Sequence, residues 1–160
     1  MSFINRRKKI SLHVKTDLNT DGRVLAWIDT ITENYKNIDF RITIYSDRPI
    51  NLKFPVNVKI NEIKVYFKSI NNFFFSILRL LNYAFKDFLF LIKFQPSVMI
   101  VQDKNALLAP MLYKVIVSKS SLIYDDHELF NFPLTLEDKL FFIIERLAFK
   151  ISNDVLVANK

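Results

Sequence analysis

Residues 121–128 read Ser-Leu-Ile-Tyr-Asp-Asp-His-Glu, an apolar run that passes directly into a cluster of acidic and imidazole side chains. A short run of aliphatic and aromatic residues like this one predicts a buried β-strand. In open α/β sheets, ligands bind outside the carboxyl ends of the strands, where such a cluster would lie. This stretch therefore predicts both an α/β fold and the position of a functional site.

On either side of this segment, short apolar runs alternate with helical patterns, as they do in α/β proteins. We expect β-strands at residues 10–14, 40–45, 98–101, 122–124 and 155–157, with a shorter strand region between residues 56 and 65. We expect helices at residues 24–35, 106–115 and 136–151, where Pro110 must bend or shift the second, and Thr135 with Asp138 resembles a capping box. The sequence predicts a Rossmann-like parallel sheet buried on both faces, with helices on both faces.

The long apolar segment at residues 73–94 leaves three interpretations open. Polar residues recur in and beside it at roughly helical spacing, namely Asn72, Ser76, Arg79, Asn82, Lys86 and Lys93, with Asp87 as a second charge beside Lys86. This spacing favours a crossover helix that packs on the sheet. Such a helix could also touch a membrane surface. A membrane span is the third interpretation, which charges near its middle disfavour.

Composition narrows the functional classes. A length of 160 residues suits a single domain, residues 1–160, with a real core. The single glycine argues against a glycine-rich dinucleotide fingerprint or a Walker loop. The lack of cysteine excludes disulfides and thiolate metal sites and favours a cytoplasmic location, and two histidines do not suggest a structural zinc site. The net charge of +7 favours phosphorylated ligands, nucleic acid or an anionic membrane as partners.

Polar clusters follow three of the predicted strands, at residues 15–23, 102–105 and 125–128. If the strands are parallel, these clusters meet at one edge of the sheet and form a site there. The strand-end position of His127 favours a functional role, and we expect Glu128 to orient this imidazole. We expect Asp125 to close its strand through backbone hydrogen bonds. The other histidine, His13, lies among apolar strand residues and is predicted to be packed and hydrogen-bonded.

The remaining candidates have structural alternatives. Asp21 could cap the first helix, and Gly22 could relax the turn before it. Arg23 could pair with a nearby carboxylate instead of binding a phosphate, and Asp103 or Asn105 could cap the helix that follows. A hydrolase with paired carboxylates is disfavoured, because sequence proximity does not place two carboxylates across a substrate and no serine or cysteine elbow is recognisable.

Three motifs occur in a fixed order along the chain. They are Asp21-Gly22-Arg23-Val24 before a helix and a strand, residues 98–103 before another helix, and Tyr124-Asp125-Asp126-His127-Glu128, followed by Glu145-Arg146 and a last strand. In this order they resemble the N-terminal domain of GT-B-fold, group 1 (family 4-like) glycosyltransferases. The resemblance covers that acceptor-side domain, and the donor-binding C-terminal domain of the family has no counterpart in residues 1–160.

The resemblance implies transfer of a sugar, with retention of its anomeric configuration, from a nucleotide-sugar donor to a cell-surface polysaccharide or lipid-linked acceptor. It implies that His127 contacts the donor sugar and Asp103 the acceptor, and that either would be the base in an inverting enzyme. Asp21, Gly22 and Arg23 would line the cleft, while Asp125 and Glu128 would fix the loop.

The resemblance also implies that no metal or other cofactor is needed, that nucleic acid is not a partner, and that the protein works at the inner face of the cytoplasmic membrane. Without a C-terminal half, turnover is expected to be negligible. Two other functions stay open. One is a non-catalytic binding or membrane-docking half-domain that works with a partner chain, and the other is a small-nucleotide-binding α/β domain of another kind.

Overall fold

The computed structural model describes residues 7–46, 50–55, 58–64, 73–117, 119–126 and 135–157. Within these ranges the strands are β1 (Lys8–Val14), β2 (Ile38–Ser46), β3 (Val58–Lys64), β4 (Val98–Val101), β5 (Ser121–Asp126) and β6 (Asp154–Val157). The helices are α1 (Gly22–Asn34), α2 (Phe73–Phe94), α3 (Leu108–Ile116) and α4 (Leu136–Ile151), with a 3-10 turn at Lys104–Ala106. The predicted alternation of strands and helices is therefore confirmed.

The strands form one parallel sheet in the order β3-β2-β1-β4-β5-β6. From β1 the chain builds outward to β3, returns through α2 to β4, and then builds outward in the opposite direction. The order reverses between β1 and β4, where His13 lies opposite both Thr43 and Val101. In doubly wound sheets this reversal opens a crevice at the carboxyl edge of the strands.

The core lies on both faces of the sheet, as the strand sequences predict. On one face, Val24, Ile28 and Ile31 of α1 pack against the apolar residues of β1 and β2. On the other face, α2, α3 and α4 enclose a second apolar cluster. Burial of apolar surface on both faces contributes about 25 cal/mol per Å² and holds the central strands in place.

Helix α2 is the predicted crossover between β3 and β4. Leu80, Ala84 and Leu91 lie on its buried side. Asp87, which the sequence groups with the charges of this helix, is also on the buried side and is fully enclosed. None of the helices in the described ranges has the length and hydropathy needed to cross a membrane.

Several element ends differ from the sequence prediction. Pro110 lies in the first turn of α3, where a missing N–H costs little, so the proline shifts the helix start and leaves the helix unbroken. β5 continues through Asp126, two residues beyond the predicted end, and β3 is one strand of seven residues. Helix α4 begins as predicted, because Thr135 and Asp138 form a complete capping box.

Candidate functional site

The loops that follow β1 and β4 are joined at the carboxyl edge of the sheet. The backbone N–H of Gln102 donates to the carbonyl oxygen of His13 at 3.1 Å. The backbone N–H of Lys15 donates to Oδ2 of Asp103 at 2.8 Å. Two of the three predicted polar clusters therefore meet at the point where the strand order reverses.

Asp125 joins the third cluster to the other two. Its Oδ2 accepts a hydrogen bond from Nε1 of Trp27 at 2.9 Å and another from Nε2 of Gln102 at 3.2 Å. Trp27 belongs to α1 and Gln102 to the loop after β4, so this carboxylate connects that loop, β5 and the helix after β1. The sequence predicts backbone partners for Asp125 beyond a strand end, whereas the residue lies inside β5 and receives two side-chain donors.

The alternation of side chains along β5 explains this position. Tyr124 turns to the face covered by α4, where its hydroxyl donates to Oε1 of Glu145 at 2.6 Å. Asp125 turns to the opposite face, which α1 covers. The neighbouring residues Tyr124 and Asp125 therefore make side-chain hydrogen bonds on opposite faces of the sheet.

The segment between β1 and α1 is fixed by its own polar groups. Oδ1 of Asp17 accepts hydrogen bonds from the backbone and side-chain nitrogens of Asn19, at 3.2 and 3.0 Å. Oδ1 of Asn19 in turn accepts from the backbone N–H of Asn51 at 2.9 Å. These bonds tie the loop after β1 to the segment that follows β2.

Asp21 caps α1. Its Oδ1 accepts hydrogen bonds from the backbone N–H groups of Arg23 and Val24 at 3.1 and 3.3 Å, so the predicted capping role is confirmed. Burial raises the pKa of Asp21. Hydrogen bonds from Thr16, Val24 and Arg23, together with the charge of Arg23, lower the pKa by more than burial raises it, so the pKa lies below its ordinary value. The carboxylate is therefore ionised at neutral pH.

Gly22 and Arg23 occupy the first turn of α1 and are exposed. A Cβ added at Gly22 would meet nothing within 4 Å, and this glycine has no positive φ. The backbone therefore does not require glycine here. Nε of Arg23 lies 3.5 Å from Oδ1 of Asp21, so the predicted pairing with a carboxylate is confirmed, and the guanidinium side chain is 56% exposed.

Asp103 and Gln102 follow β4. The predicted cap at Asp103 is wrong, because its side chain makes no capping hydrogen bond to the 3-10 turn and instead accepts from Lys15. Gln102 is buried, and among the described residues no group donates to its Oε1. A buried acceptor without a donor is costly, so this oxygen is an unsatisfied polar atom at the edge of the site.

His127 and Glu128 lie outside the described residues, so their roles stay predictions. The other histidine is packed as predicted: Nδ1 of His13 lies 2.7 Å from Oδ2 of Asp87, and its Nε2 lies 2.9 Å from Oγ of Ser11. Within the described ranges, no three His, Asp or Glu side chains converge to hold a metal ion.

The sequence did not single out Trp27 or the side chain of Gln102 as site residues. Trp27 and Asp125 are 98 positions apart, so no local pattern links them. The one available signal was chemical: a half-buried indole N–H usually finds a hydrogen-bond acceptor.

Comparison with known proteins gives matches among solved structures. No family model matches the chain, and no curated protein matches it. UDP-GlcNAc 2-epimerase from Methanocaldococcus jannaschii matches with a TM-score of 0.60 at 19% identity, over 94% of this chain and 39% of the epimerase chain. The lipopolysaccharide outer core galactosyltransferase WaaB matches with a TM-score of 0.53 at 14% identity, over 72% of this chain and 32% of its own.

A plant enzyme gives a third match. UGT71G1 of Medicago truncatula, solved with UDP-glucose, has a TM-score of 0.53 at 9% identity, over 79% of this chain and 30% of its own. The chain thus spans well under half the length of these proteins. At such identities the likeness concerns the fold, and it confirms that this chain has the Rossmann-like α/β fold of a GT-B domain.

Proposed function

We propose that this chain is the acceptor-side, N-terminal domain of a glycosyltransferase that moves a sugar from a nucleotide-sugar donor to a glycan or lipid-linked acceptor. The observation that carries the proposal is the convergence of Lys15, Gln102, Asp103 and Asp125 where the strand order reverses. Ligands of doubly wound α/β proteins bind at this point of the sheet.

The solved structures with this fold support the same class of chemistry. One is a galactosyltransferase, one is an epimerase of UDP-GlcNAc, and another was solved with UDP-glucose. Fold alone does not fix function. The proposal therefore rests on the site together with the fold.

The charges at the edge of the sheet suit the reaction. Sugar transfer develops positive charge on the sugar and negative charge on the departing diphosphate, and positioned charges stabilise both. Arg23 is exposed in the first turn of α1, where the helix dipole also favours an anion. We assign this residue, with Asp21 and Gly22, to the cleft beside the diphosphate or the acceptor.

Acceptor and donor contacts are assigned to the other two loops. Asp103 is held by the amide of Lys15 and would accept a hydrogen bond from the acceptor hydroxyl. His127 would contact the donor sugar, with Asp125 and Glu128 fixing its loop. In an inverting enzyme, Asp103 or His127 would serve as the base.

The active unit that we propose is larger than this domain. In GT-B enzymes the site lies between two domains, and the resemblance assigns most donor contacts to the C-terminal one. We therefore propose retaining transfer, without a metal cofactor, by this domain together with a donor-binding domain or partner chain in the cytoplasm. Polysaccharide synthesis at the cell surface is the proposed setting.

Epimerisation of a nucleotide sugar is the second candidate. The epimerase match extends over 94% of this chain, against 72% for the galactosyltransferase WaaB. The two reactions differ in their need for an acceptor. An epimerase converts one nucleotide sugar into another without an acceptor and without net release of UDP, whereas a transferase releases UDP as its sugar moves to another molecule.

The test begins with the intact mass of the native gene product and the reading frame after Lys160. That native product is then incubated with UDP-glucose, UDP-galactose and UDP-GlcNAc and a membrane extract as the acceptor source. We expect UDP release that depends on the extract, and a loss of about 100-fold or more in the rate of this release in His127→Ala.

Glu33→Ala, an exposed change on α1, is the control. Acceptor-independent conversion of the nucleotide sugar would support epimerisation instead, and full activity of His127→Ala would contradict the site assignment.

A further inference from the structure

Helix α2 has a second apolar side that faces solvent. Six of its large apolar residues are between 41% and 63% exposed, and we call them the apolar stripe: Phe74, Leu78, Leu81, Phe85, Leu89 and Ile92. Their separations of three or four positions place them along one side of the helix. A contiguous apolar surface of this kind on a soluble domain indicates an interaction site.

The exposed charges of α2 and of the neighbouring helix α3 have one sign. Arg79, Lys86 and Lys93 are the basic residues of α2, and its one acidic residue, Asp87, is fully buried. Helix α3, which packs beside α2, contains Lys114 and no acidic residue. In α2 and α3, therefore, every charged side chain that reaches the surface is basic.

We propose that the apolar stripe docks this domain onto an anionic lipid surface. An interfacial helix places aromatic and aliphatic side chains into the headgroup region and keeps basic side chains at its polar border. Each basic residue close to an anionic membrane adds attraction, and the stripe adds the apolar area needed for insertion. Phe74 and Phe85 are the most exposed of its members, at 61% and 63%.

Charge decides between a membrane and a second copy of the chain. The spacing of the stripe would also suit helix pairing, as in a coiled coil. Pairing of two α2 helices would bring six basic residues together, because each helix contributes Arg79, Lys86 and Lys93 while its one acidic residue, Asp87, is buried. An anionic bilayer supplies the opposite charge, which the exposed face of a second α2 lacks.

The direction of α2 connects this surface to the sheet edge. The helix leads from the carboxyl end of β3 back to the amino end of β4. Its first turns, with Phe74 and Leu78, therefore lie toward the carboxyl edge, where the candidate site is. A membrane that contacts α2 would run near that edge. The docking proposal itself does not depend on sugar transfer, because vesicle binding requires neither donor nor turnover.

The test is sedimentation of the chain with vesicles of equal parts phosphatidylcholine and phosphatidylglycerol, compared with phosphatidylcholine alone. We expect binding to the anionic vesicles at low salt and its loss in the double variant Leu81→Gln/Phe85→Gln. The control variant Tyr35→Gln/Leu156→Gln changes two residues of similar exposure away from α2 and should keep the wild-type binding. Circular dichroism and urea unfolding show whether each variant is folded.

A second pair of variants tests the charges without changing the stripe. Lys86→Gln/Lys93→Gln should weaken binding to anionic vesicles by about fivefold per lysine at low salt, an effect that added salt reduces. Lys36→Gln/Lys53→Gln removes the same charge from exposed positions outside α2 and α3 and should change binding less.

Three results would overturn the proposal. The first is vesicle binding that survives both α2 variants. The second is the absence of vesicle binding together with a dimer that Leu81→Gln/Phe85→Gln dissociates, which would assign the stripe to a second copy. The third is the absence of both vesicle binding and self-association.

Discussion

Two buried aspartates hold similar hydrogen-bonded clusters in very different places. Oδ2 of Asp87 lies 2.7 Å from Nδ1 of His13 and accepts from the hydroxyl of Tyr45 at 2.8 Å. Oδ2 of Asp125 accepts from Trp27 at 2.9 Å and from Gln102 at 3.2 Å. The first cluster lies between the sheet and α2, and the second lies at the carboxyl edge.

The first cluster has the residue types of a catalytic centre but not the access. A histidine paired with an aspartate suggests acid–base chemistry. Both side chains are 0% exposed, so no substrate can reach them without unfolding. Burial, with the charge of Asp87, raises the pKa of Tyr45 well above its ordinary value, so its hydroxyl stays protonated and donates.

The second cluster contains a carboxylate, an indole and an amide, which look less reactive. Its members nevertheless come from α1, from the loop after β4 and from β5, and they meet where the strand order reverses. Position in the sheet, more than residue type, therefore separates a structural cluster from a candidate site.

The largest expected effect is the loss of stability in Asp87→Ala. The change leaves His13 and the hydroxyl of Tyr45 buried without their shared acceptor, which should cost about 4 kcal/mol in the free energy of unfolding. Urea unfolding of the chain measures this loss. Asp29→Ala, an exposed change on α1, should stay within about 0.5 kcal/mol of wild type. Equal stability of the two variants would show that the buried cluster does not hold α2.

A smaller effect on stability is expected at the edge cluster. Trp27→Phe removes the indole N–H, while Gln102 still donates to Asp125, so the loss should be about 1.5 kcal/mol. A double-mutant cycle of Trp27→Phe with Asp125→Asn isolates this bond, and we expect a coupling energy of about 1 kcal/mol.

In the complete enzyme, Trp27→Phe should reduce transfer more than its stability loss explains. Unchanged kinetics in a folded variant would make this cluster structural, like the one around Asp87.

The smallest effect concerns Asp21 and depends on pH. Asp21→Ala should cost about 1 kcal/mol near neutral pH through loss of the helix cap. Because the pKa of Asp21 is lowered in the folded state, its ionised form contributes stability above the ordinary value of 3.8, and that contribution is lost as the pH falls through the folded pKa. The difference between wild type and Asp21→Ala should therefore shrink in acid.

Asp21→Asn is the matched control, because asparagine also caps helices well. Urea unfolding at several pH values should show a smaller loss than in Asp21→Ala. A difference between wild type and Asp21→Ala that stays constant in acid would contradict the assigned role of the charge.

Local patterns predicted most elements well. The boundaries of β4, α2 and α4 match the predicted ranges, because each is a strong apolar pattern with clear ends. A capping role was predicted for both Asp21 and Asp103, but only Asp21 caps a helix. The carboxylate of Asp103 accepts a hydrogen bond from the backbone N–H of Lys15 instead. Spacing alone could not separate these two aspartates, since both precede a helical turn.

By itself the sequence determined the alternation of strands and helices, the parallel sheet buried on both faces, and the sheet edge at which the polar clusters meet. These properties follow from periodicity and chain order, which are local. Only the tertiary structure placed Asp87 in a core cluster and Asp125 in the cluster at the sheet edge. It also left the apolar stripe of α2 exposed. Those outcomes depend on contacts between distant residues, such as Trp27 with Asp125 and His13 with Asp87, and on the rotation of a helix that is apolar on two sides.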